Sequence, residues 1–450
     1  MTTLFSASLD RSILKLALPA VVENLLQTVV FFSDTLMIGW LKDPAALAAV
    51  GLAGTLMYLL TTLFGALAVA ATALVAQAWG ADRRADAGRV GAQAILLSLL
   101  FSAGITLLLI PAIPGYLRLM GGDPQVVAQG TGYLQVVLGA SVFSFPMMVA
   151  NGVMRGAGDT RTPMWNTLVM NSWNILASYL LIFGPGPLPG LALLGAGIGT
   201  ATARTLGGFL AVGALLTGRT FLHLDWRQLG RWQQAISRRI LALALPSAVE
   251  AGVAQFGFLL FTRMVASLGT LALAAHQIAL RVESLSYMPS WGLAVAATTL
   301  VGQALGAGDP GLARKALRRT LLFGLIFNGL LGLVFLLFAR PIVQIFGSTQ
   351  DVLSLAALAL TIAAAELPGL GFEMIIAGGM RGAGDTRTPL LVTLVGVLLF
   401  RLSLVYLLAI VLKWGLAGVW WGTAMDWTGR SLLLWWLFRR QAWQRAPVAE

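Results

Sequence analysis

The chain has 450 residues, 58% of them hydrophobic and only 11% charged, with a mean hydropathy of +0.83. Soluble domains carry about 25% charged residues and cannot keep this much apolar surface from water, so a soluble protein is excluded and an integral membrane protein is required. The net charge of +12 sits in short connections between apolar runs, which assigns it to topology and anionic lipid rather than nucleic acid; with no cysteine, disulfides and thiolate metal sites are excluded.

A spanning helix needs about 20 mostly apolar residues. The opening Met1–Leu26 lacks the short apolar core and small-residue cleavage site of a leader, so it reads as an amphipathic entry into the first span, with no cleavage expected. Twelve apolar segments succeed one another in chain order, near 13–40, 46–79, 90–114, 127–153, 164–184, 190–217, 238–267, 273–305, 314–339, 350–379, 388–412 and 414–438. Their length excludes barrel strands, which are only about 10 residues long with period-2 alternation. Segments 46–79 and 273–305 exceed one bilayer and are expected to project into water. The predicted class is therefore an all-α integral membrane protein of twelve transmembrane helices.

Charge in the connections orients these helices. Arg83, Arg84 and Arg89, then Arg155 and Arg161, then Arg219, Arg227, Arg231, Arg238 and Arg239 fall in every second connection. Arg314, Lys315, Arg318 and Arg319, then Arg381 and Arg387, then Arg439 and Arg440 continue the pattern. The alternate connections hold only Lys42, Arg118, Arg340 and Lys413, so the positive-inside rule places both termini in the cytoplasm.

The chain is also duplicated. MRGAGDTRTP occurs at Met154–Pro163 and Met380–Pro389, 226 residues apart, and Leu67–Ala81 matches Leu293–Ala307 at 12 of 15 positions with the same offset. LALP-x-x-VE at Leu16–Glu23 returns at Leu243–Glu250, and Asn174–Leu181 is echoed at Arg401–Leu408, both at an offset of 227. Six spans per copy is an even number, so the copies share one orientation, a parallel repeat about an axis along the membrane normal. The expected division is an N-lobe at 1–217, a polar linker at 218–237 and a C-lobe at 238–450. The repeated motif has no catalytic geometry: its Gly-x-Gly suits a tight backbone, its Asp-Thr an N-cap and its Pro the first turn of the next helix.

Ionisable groups inside spans are costly and mark functional sites. Asp34 has no cation within a helical turn of its own span, so it reads either as a group that binds and releases H⁺ or Na⁺ or as a carboxylate at the outer interface. Glu23 and Glu250 stand one turn after a proline and serve either a site or the helix dipole. Glu283 has Arg281 near it, but two positions away on a helix the two do not face each other. Glu366 and Glu373 share a face; Arg401 needs an acidic partner, for which Glu373 is the first choice; Asp426 and Arg430 are spaced i,i+4 as a structural pair. Asn171, Asn174 and Ser178 recur at helical spacing, and with Thr200, Thr202 and Asp34 they could supply oxygen ligands to a small hard cation or simply bond helix to helix. Pro146 and Pro289 can hinge their spans. His223 and His276 are the only histidines, and no Ser-His-Asp set or paired metal ligands occur, so no enzyme and no cofactor are expected.

Three stretches together carry a family resemblance: LALPAVVENLLQTVVFFSDTLMIG in the first span, AAHQIALRVESLSYMPSWGLAVAATTLVGQALGAGD further on, and MRGAGDTRTP in each copy. The chain resembles the multidrug and toxic compound extrusion (MATE) family, prokaryotic members and the DinF-like branch in particular. The resemblance covers essentially all twelve spans. It implies two six-helix lobes in a V and export of organic, mostly cationic compounds by rocker-switch antiport against H⁺ or Na⁺, by a monomer. It also implies a coupling site in which the family's first-span Asp falls on Asp34, its fifth-span Asn on Asn174 and its sixth-span Thr on Thr200. The family's fifth-span acid falls on Ser178, a departure that removes one negative charge and favours H⁺ over Na⁺. Glu250, Glu283, Glu373 and Arg401 are the candidates for coupling or substrate contact in the second copy. The alternative from the same superfamily is a lipid-linked oligosaccharide flippase, whose pyrophosphate needs a strongly cationic cavity. In-span arginine here is limited mainly to Arg204, Arg263, Arg281, Arg401 and Arg430.

Overall fold

A computed structural model describes residues 8–184 and 189–440; both termini, expected in the cytoplasm, lie outside them. Among the described residues the regular structure is entirely helical. The helices are α1 (Leu9–Trp40), α2 (Pro44–Gly80), α3 (Arg84–Leu109), the short α4 (Ile113–Leu119) that continues α3 through a tight turn, α5 (Pro124–Gly156), α6 (Arg161–Phe183) and α7 (Ala192–Leu216). After the short α8 (Trp226–Leu229) come α9 (Gln234–Ala266), α10 (Thr270–Gly306), α11 (Pro310–Gln344) and α12 (Gln350–Gly382). The next rod is α13 (Arg387–Val395), a π segment (Gly396–Leu402), α14 (Ser403–Val405) and a second π segment (Tyr406–Val411); α15 (Gly415–Arg439) closes the chain. These make twelve membrane-length rods at the positions the apolar segments predict.

Local sequence sets the helix ends. Asp123 and Asp309 each precede a proline at the first helical position and cap α5 and α11, accepting from Val126 N and Leu312 N at 2.8 Å. In the repeated motif, Gly158 (φ +93°) and Gly384 (φ +87°) end one helix in the left-handed region that favours glycine. Asp159 and Asp385 then cap the next helix: Thr162 N donates to Asp159 Oδ1 at 3.0 Å and Thr388 N to Asp385 Oδ1 at 2.9 Å. The motif is an inter-helix joint in both copies. The backbone stays helical through Pro146 and Pro289; it breaks at Phe338 (φ −120°, ψ 17°), ahead of Pro341, whose ring blocks the preceding turn.

α2 and α10 are each 37 residues long, about 55 Å at 1.5 Å per residue, and so outreach an apolar core of about 30 Å. Helix faces are patterned for lipid outside and polar groups inside. α6 buries Pro163, Thr167, Asn171, Asn174, Ser178 and Ile182 at helical spacing, while Trp165, Val169, Trp173, Leu176 and Tyr179 are exposed. Among the described residues, nine helices are long and apolar enough to be read as spans by length and composition. α6, α10 and α15 fall outside that set although 23, 37 and 25 residues long.

The chain forms two compact units. The first comprises Met1–Val21, Ala76–Asp82 and Leu245–Glu450, the second Val22–Val75 and Arg83–Ala244. The core of the first joins Ile13 and Leu16 of α1 to Leu293, Leu300, Leu317, Ile376 and Leu434, with a second cluster around Phe261, Phe335, Leu360 and Trp420. In the second unit Met37, Ile38, Ala49, Val126 and Ile182 pack together, and Phe64 stacks on Phe145 at 4.0 Å. The duplication reaches single hydrogen bonds: Thr72 Oγ1 donates to Gly152 O, and its counterpart Thr298 Oγ1 to Gly378 O, both at 2.9 Å.

Candidate functional sites

In the second unit the site grows from the α6–α7 contact. Gly199 of α7 lies against Ser178 of α6 so closely that an added Cβ would stand 2.7 Å from Ser178 Cα. That approach brings Asn174 to Thr200, and Asn174 Nδ2 donates to Thr200 Oγ1 at 3.2 Å. Asn174 Oδ1, Ser178 Oγ and both amide atoms of Asn171 are buried without a hydrogen-bond partner. Burying such atoms unpaired costs about 1–3 kcal/mol each, so natural structures keep few of them, and a patch of them signals a place where something else binds. Thr202, by contrast, is exposed: its hydroxyl donates to Gly199 O at 3.0 Å and accepts from Trp173 Nε1 at 3.3 Å.

Asp34 is half-buried on α1, and its Oδ1 has no hydrogen-bond partner. The groups that act on it come from other helices: Arg204, one turn beyond Thr200 on α7, attracts it, and Tyr133 of α5 stands in the same field. Arg204 is the residue that sequence reasoning left out of this site; only its four-residue spacing from Thr200 could have found it. No hydrogen bond joins Asp34 to Asn174, Ser178 or Thr200 among the described residues. Nor do three acidic or histidine side chains converge there as metal ligands.

In the first unit, charged groups of four helices converge. Asp426 of α15 is fully buried between two arginines, with Arg430 Nε at 2.7 Å and Arg401 Nε at 2.8 Å. The Asp426–Arg430 pair is as its spacing predicts. The partner of Arg401 corrects the sequence expectation: it is Asp426, not Glu373, and Glu373 faces Arg430, Glu250 and Arg381 instead. Trp427 lies beneath both guanidinium groups, 5.0 Å from Arg401 and 5.3 Å from Arg430. Glu283 of α10 and Glu366 of α12 are both buried. Arg281 is exposed and takes no part.

Glu250 belongs to a joint as much as to a site. Arg381 Nη2 donates to Glu250 Oε1 at 2.6 Å and Thr393 Oγ1 to the same oxygen at 3.2 Å. Its counterpart Glu23 accepts two bonds from Arg155 Nη1, at 3.2 and 3.1 Å. The arginine of each repeated motif thus holds the glutamate of each repeated LALP-x-x-VE, a pairing across 130-odd residues that neither motif alone reveals.

The family model MatE matches the chain twice, over residues 19–180 and 246–407, once per repeat. The chain is 29% identical to the probable multidrug resistance protein NorM of Thermotoga maritima, covering 97% of this chain and 94% of that protein. It is 33% identical to a probable NorM of Pseudomonas aeruginosa, covering 92% and 86%. Among solved structures, a MATE crystallised in complex with MaD3S superposes with a TM-score of 0.90 over 98% of each chain at 23% identity, a likeness of fold.

Proposed function

Because this chain belongs to the MatE family of membrane transporters, and is no enzyme, we propose that it is a secondary active multidrug antiporter of the inner membrane. In this reading a monomer exports organic, mostly cationic compounds in exchange for H⁺, through rocker-switch alternating access. The names of the NorM relatives, multidrug resistance proteins, support multidrug export. The observation that carries the coupling is the buried, unpartnered Asp34 Oδ1 beside Arg204. As a carboxylate, Asp34 attracts Arg204 on α7; as a carboxylic acid it releases it. Arg204 sits one turn from Thr200, which Asn174 binds, so proton binding on α1 would be felt in the α6–α7 packing.

Na⁺ is the weaker alternative. A small hard cation wants several oxygen ligands and negative charge. Asp34, Asn174 and Thr200 offer a single carboxylate, already facing a cation, and Ser178 stands where the DinF-like branch has a second acid. The flippase alternative loses support because Arg401 and Arg430 are both engaged by Asp426 and leave little free positive charge for a pyrophosphate. Flux of a fluorescent organic cation into proteoliposomes, with pH and Na⁺ gradients imposed separately, tests the coupling. Flux driven by the pH gradient alone supports H⁺; flux driven only by Na⁺ overturns it.

A further inference from the structure

α3 and α11 are counterparts in the two copies, yet their first turns are finished differently. In the first copy the linker and the start of α9 lie over α3. Gln93 Oε1 accepts from Gln233 N at 3.0 Å and from Ser237 Oγ at 3.1 Å, and Gln93 Nε2 donates to Arg231 O. A methyl added at Gly88 would stand 3.4 Å from Gln228 Oε1. Ala92 and Gln93 are fully buried as a result. At the offset of 226, Gly88, Ala92 and Gln93 become Arg314, Arg318 and Arg319. Arg318 and Arg319 are exposed and Arg314 is half-buried. The segment that follows the second copy, 441–450, lies outside the described residues.

These three arginines and the exposed Lys315 line a groove of about 600 Å³ with Gly311 and Leu322. Their countercharge is slight. Arg319 Nε stands 3.9 Å from Asp10 Oδ1, with the two side chains 50% and 48% exposed, so water screens the pair. Among the described residues no acid pairs with Arg314, Lys315 or Arg318. Positions three and four apart share a face of a helix, so Lys315, Arg318 and Arg319 lead directly into Leu322, Leu325 and Ile326, all exposed. From Arg314 to Ile326 the helix rises about 18 Å at 1.5 Å per residue, enough to pass from headgroup depth into hydrocarbon. One face of α11 thus offers a cation cluster and, below it, an apolar strip. A free phosphate would meet the cations but gain nothing from the strip.

We propose that this face of α11 is a binding site for an anionic phospholipid, present in the second copy and given over to the linker in the first. The lipid phosphate accepts from the guanidinium groups of Arg318 and Arg319, whose forked donors match its oxygens. Arg314 and Lys315 add charge beside it, and the acyl chains lie along Leu322, Leu325 and Ile326. The site stands independently of the Asp34 reading, since no residue is shared.

Native mass spectrometry of the detergent-purified chain tests it, titrating phosphatidylglycerol against phosphatidylcholine of the same acyl chains. Wild type should retain the anionic lipid first, as a single tightly held copy. Arg318→Gln/Arg319→Gln should weaken that binding about thirtyfold, at roughly fivefold per arginine near a membrane surface. Arg219→Gln/Arg238→Gln removes the same charge from exposed positions elsewhere and should leave it unchanged. Glycerol phosphate, a headgroup without chains, should not bind where the lipid saturates; equal binding of the two would make the groove a free-phosphate site and overturn the lipid assignment. Equal retention of phosphatidylcholine, or an equal loss in the control variant, overturns the site. So does binding gained only when residues 441–450 are removed, which would make that segment the occupant.

Discussion

Arg401 holds Asp426 at 2.8 Å, whereas Asn174, its counterpart one repeat earlier, donates to Thr200 at 3.2 Å. Arg401 is the counterpart of Asn174, but Gly199 against Ser178 recurs as Gly422 against Val405, which makes Thr423 the counterpart of Thr200; the arginine has instead taken Asp426, one turn further along, and a neutral hydrogen bond in one copy gives way to an ion pair in the other. The energetic consequence is unequal. Interhelical hydrogen bonds in membranes average about 0.6 kcal/mol, whereas removing one partner of a buried ion pair costs about 3–5 kcal/mol by stranding a charge. Asp426→Asn, which leaves two buried arginines without their acid, should therefore lower Tm in detergent far more than Thr200→Val. Equal losses would contradict the asymmetry.

The two glutamate–arginine joints should also differ. The side chains of Glu23 and Arg155 are 3% and 9% exposed, those of Glu250 and Arg381 10% and 23%. Water screens the second pair more. Double-mutant cycles built on Glu→Gln and Arg→Gln should return couplings within about 0.5–3 kcal/mol, larger for Glu23–Arg155. A larger coupling at Glu250–Arg381 would reverse that order.

Gly199→Ala places a methyl 2.7 Å from Ser178 Cα and must part α6 from α7. Overpacking of this kind costs about 1–3 kcal/mol, and the separation should also break the Asn174–Thr200 bond. Gly54→Ala is the control: nothing lies within 4 Å of the added methyl, so it should be neutral or stabilise by up to about 1 kcal/mol. Thermal unfolding of both variants distinguishes close approach from a general glycine effect.

Outside the spans, Asp43 is held below the usual carboxylate range by Gln129, whose Nε2 donates to Oδ2 at 2.8 Å, and by the backbone N–H groups of Ala45 and Ala46. A depressed folded value means the ionised form stabilises the fold above the ordinary carboxylate range, and the benefit is lost as pH falls through the folded value. Asp43→Asn should lower Tm at neutral pH, and the gap from wild type should close in acid. A gap independent of pH would contradict this.

Much of the fold was legible in the sequence because its signals are local or periodic. Apolar runs of bilayer length, Asp-Pro caps, the Gly-Asp joints and a constant offset between copies need no tertiary knowledge. The i,i+4 pair Asp426–Arg430 was legible for the same reason. The facing of one helix by another was not. Arg204 acts on Asp34 from the sixth span, and that depends on rotational phase about each axis. At Arg401 the phase itself is altered, since the π segment Gly396–Leu402 inserts residues into the turn, each rotating the rest of the helix by about 100°. Nothing local in the sequence ranks Asp426 above Glu373 as the partner of Arg401.

The most direct measurement is export of a fluorescent organic cation by Asp34→Asn in proteoliposomes under an imposed pH gradient, beside wild type and with Tm recorded for both. Asp34 Oδ1 has no hydrogen-bond partner to lose, so the variant should fold normally. Its gradient-driven flux should fall at least about tenfold, equivalent to about 1.4 kcal/mol of lost coupling. Flux at the wild-type rate from a folded Asp34→Asn protein would contradict the role of Asp34 as the proton carrier.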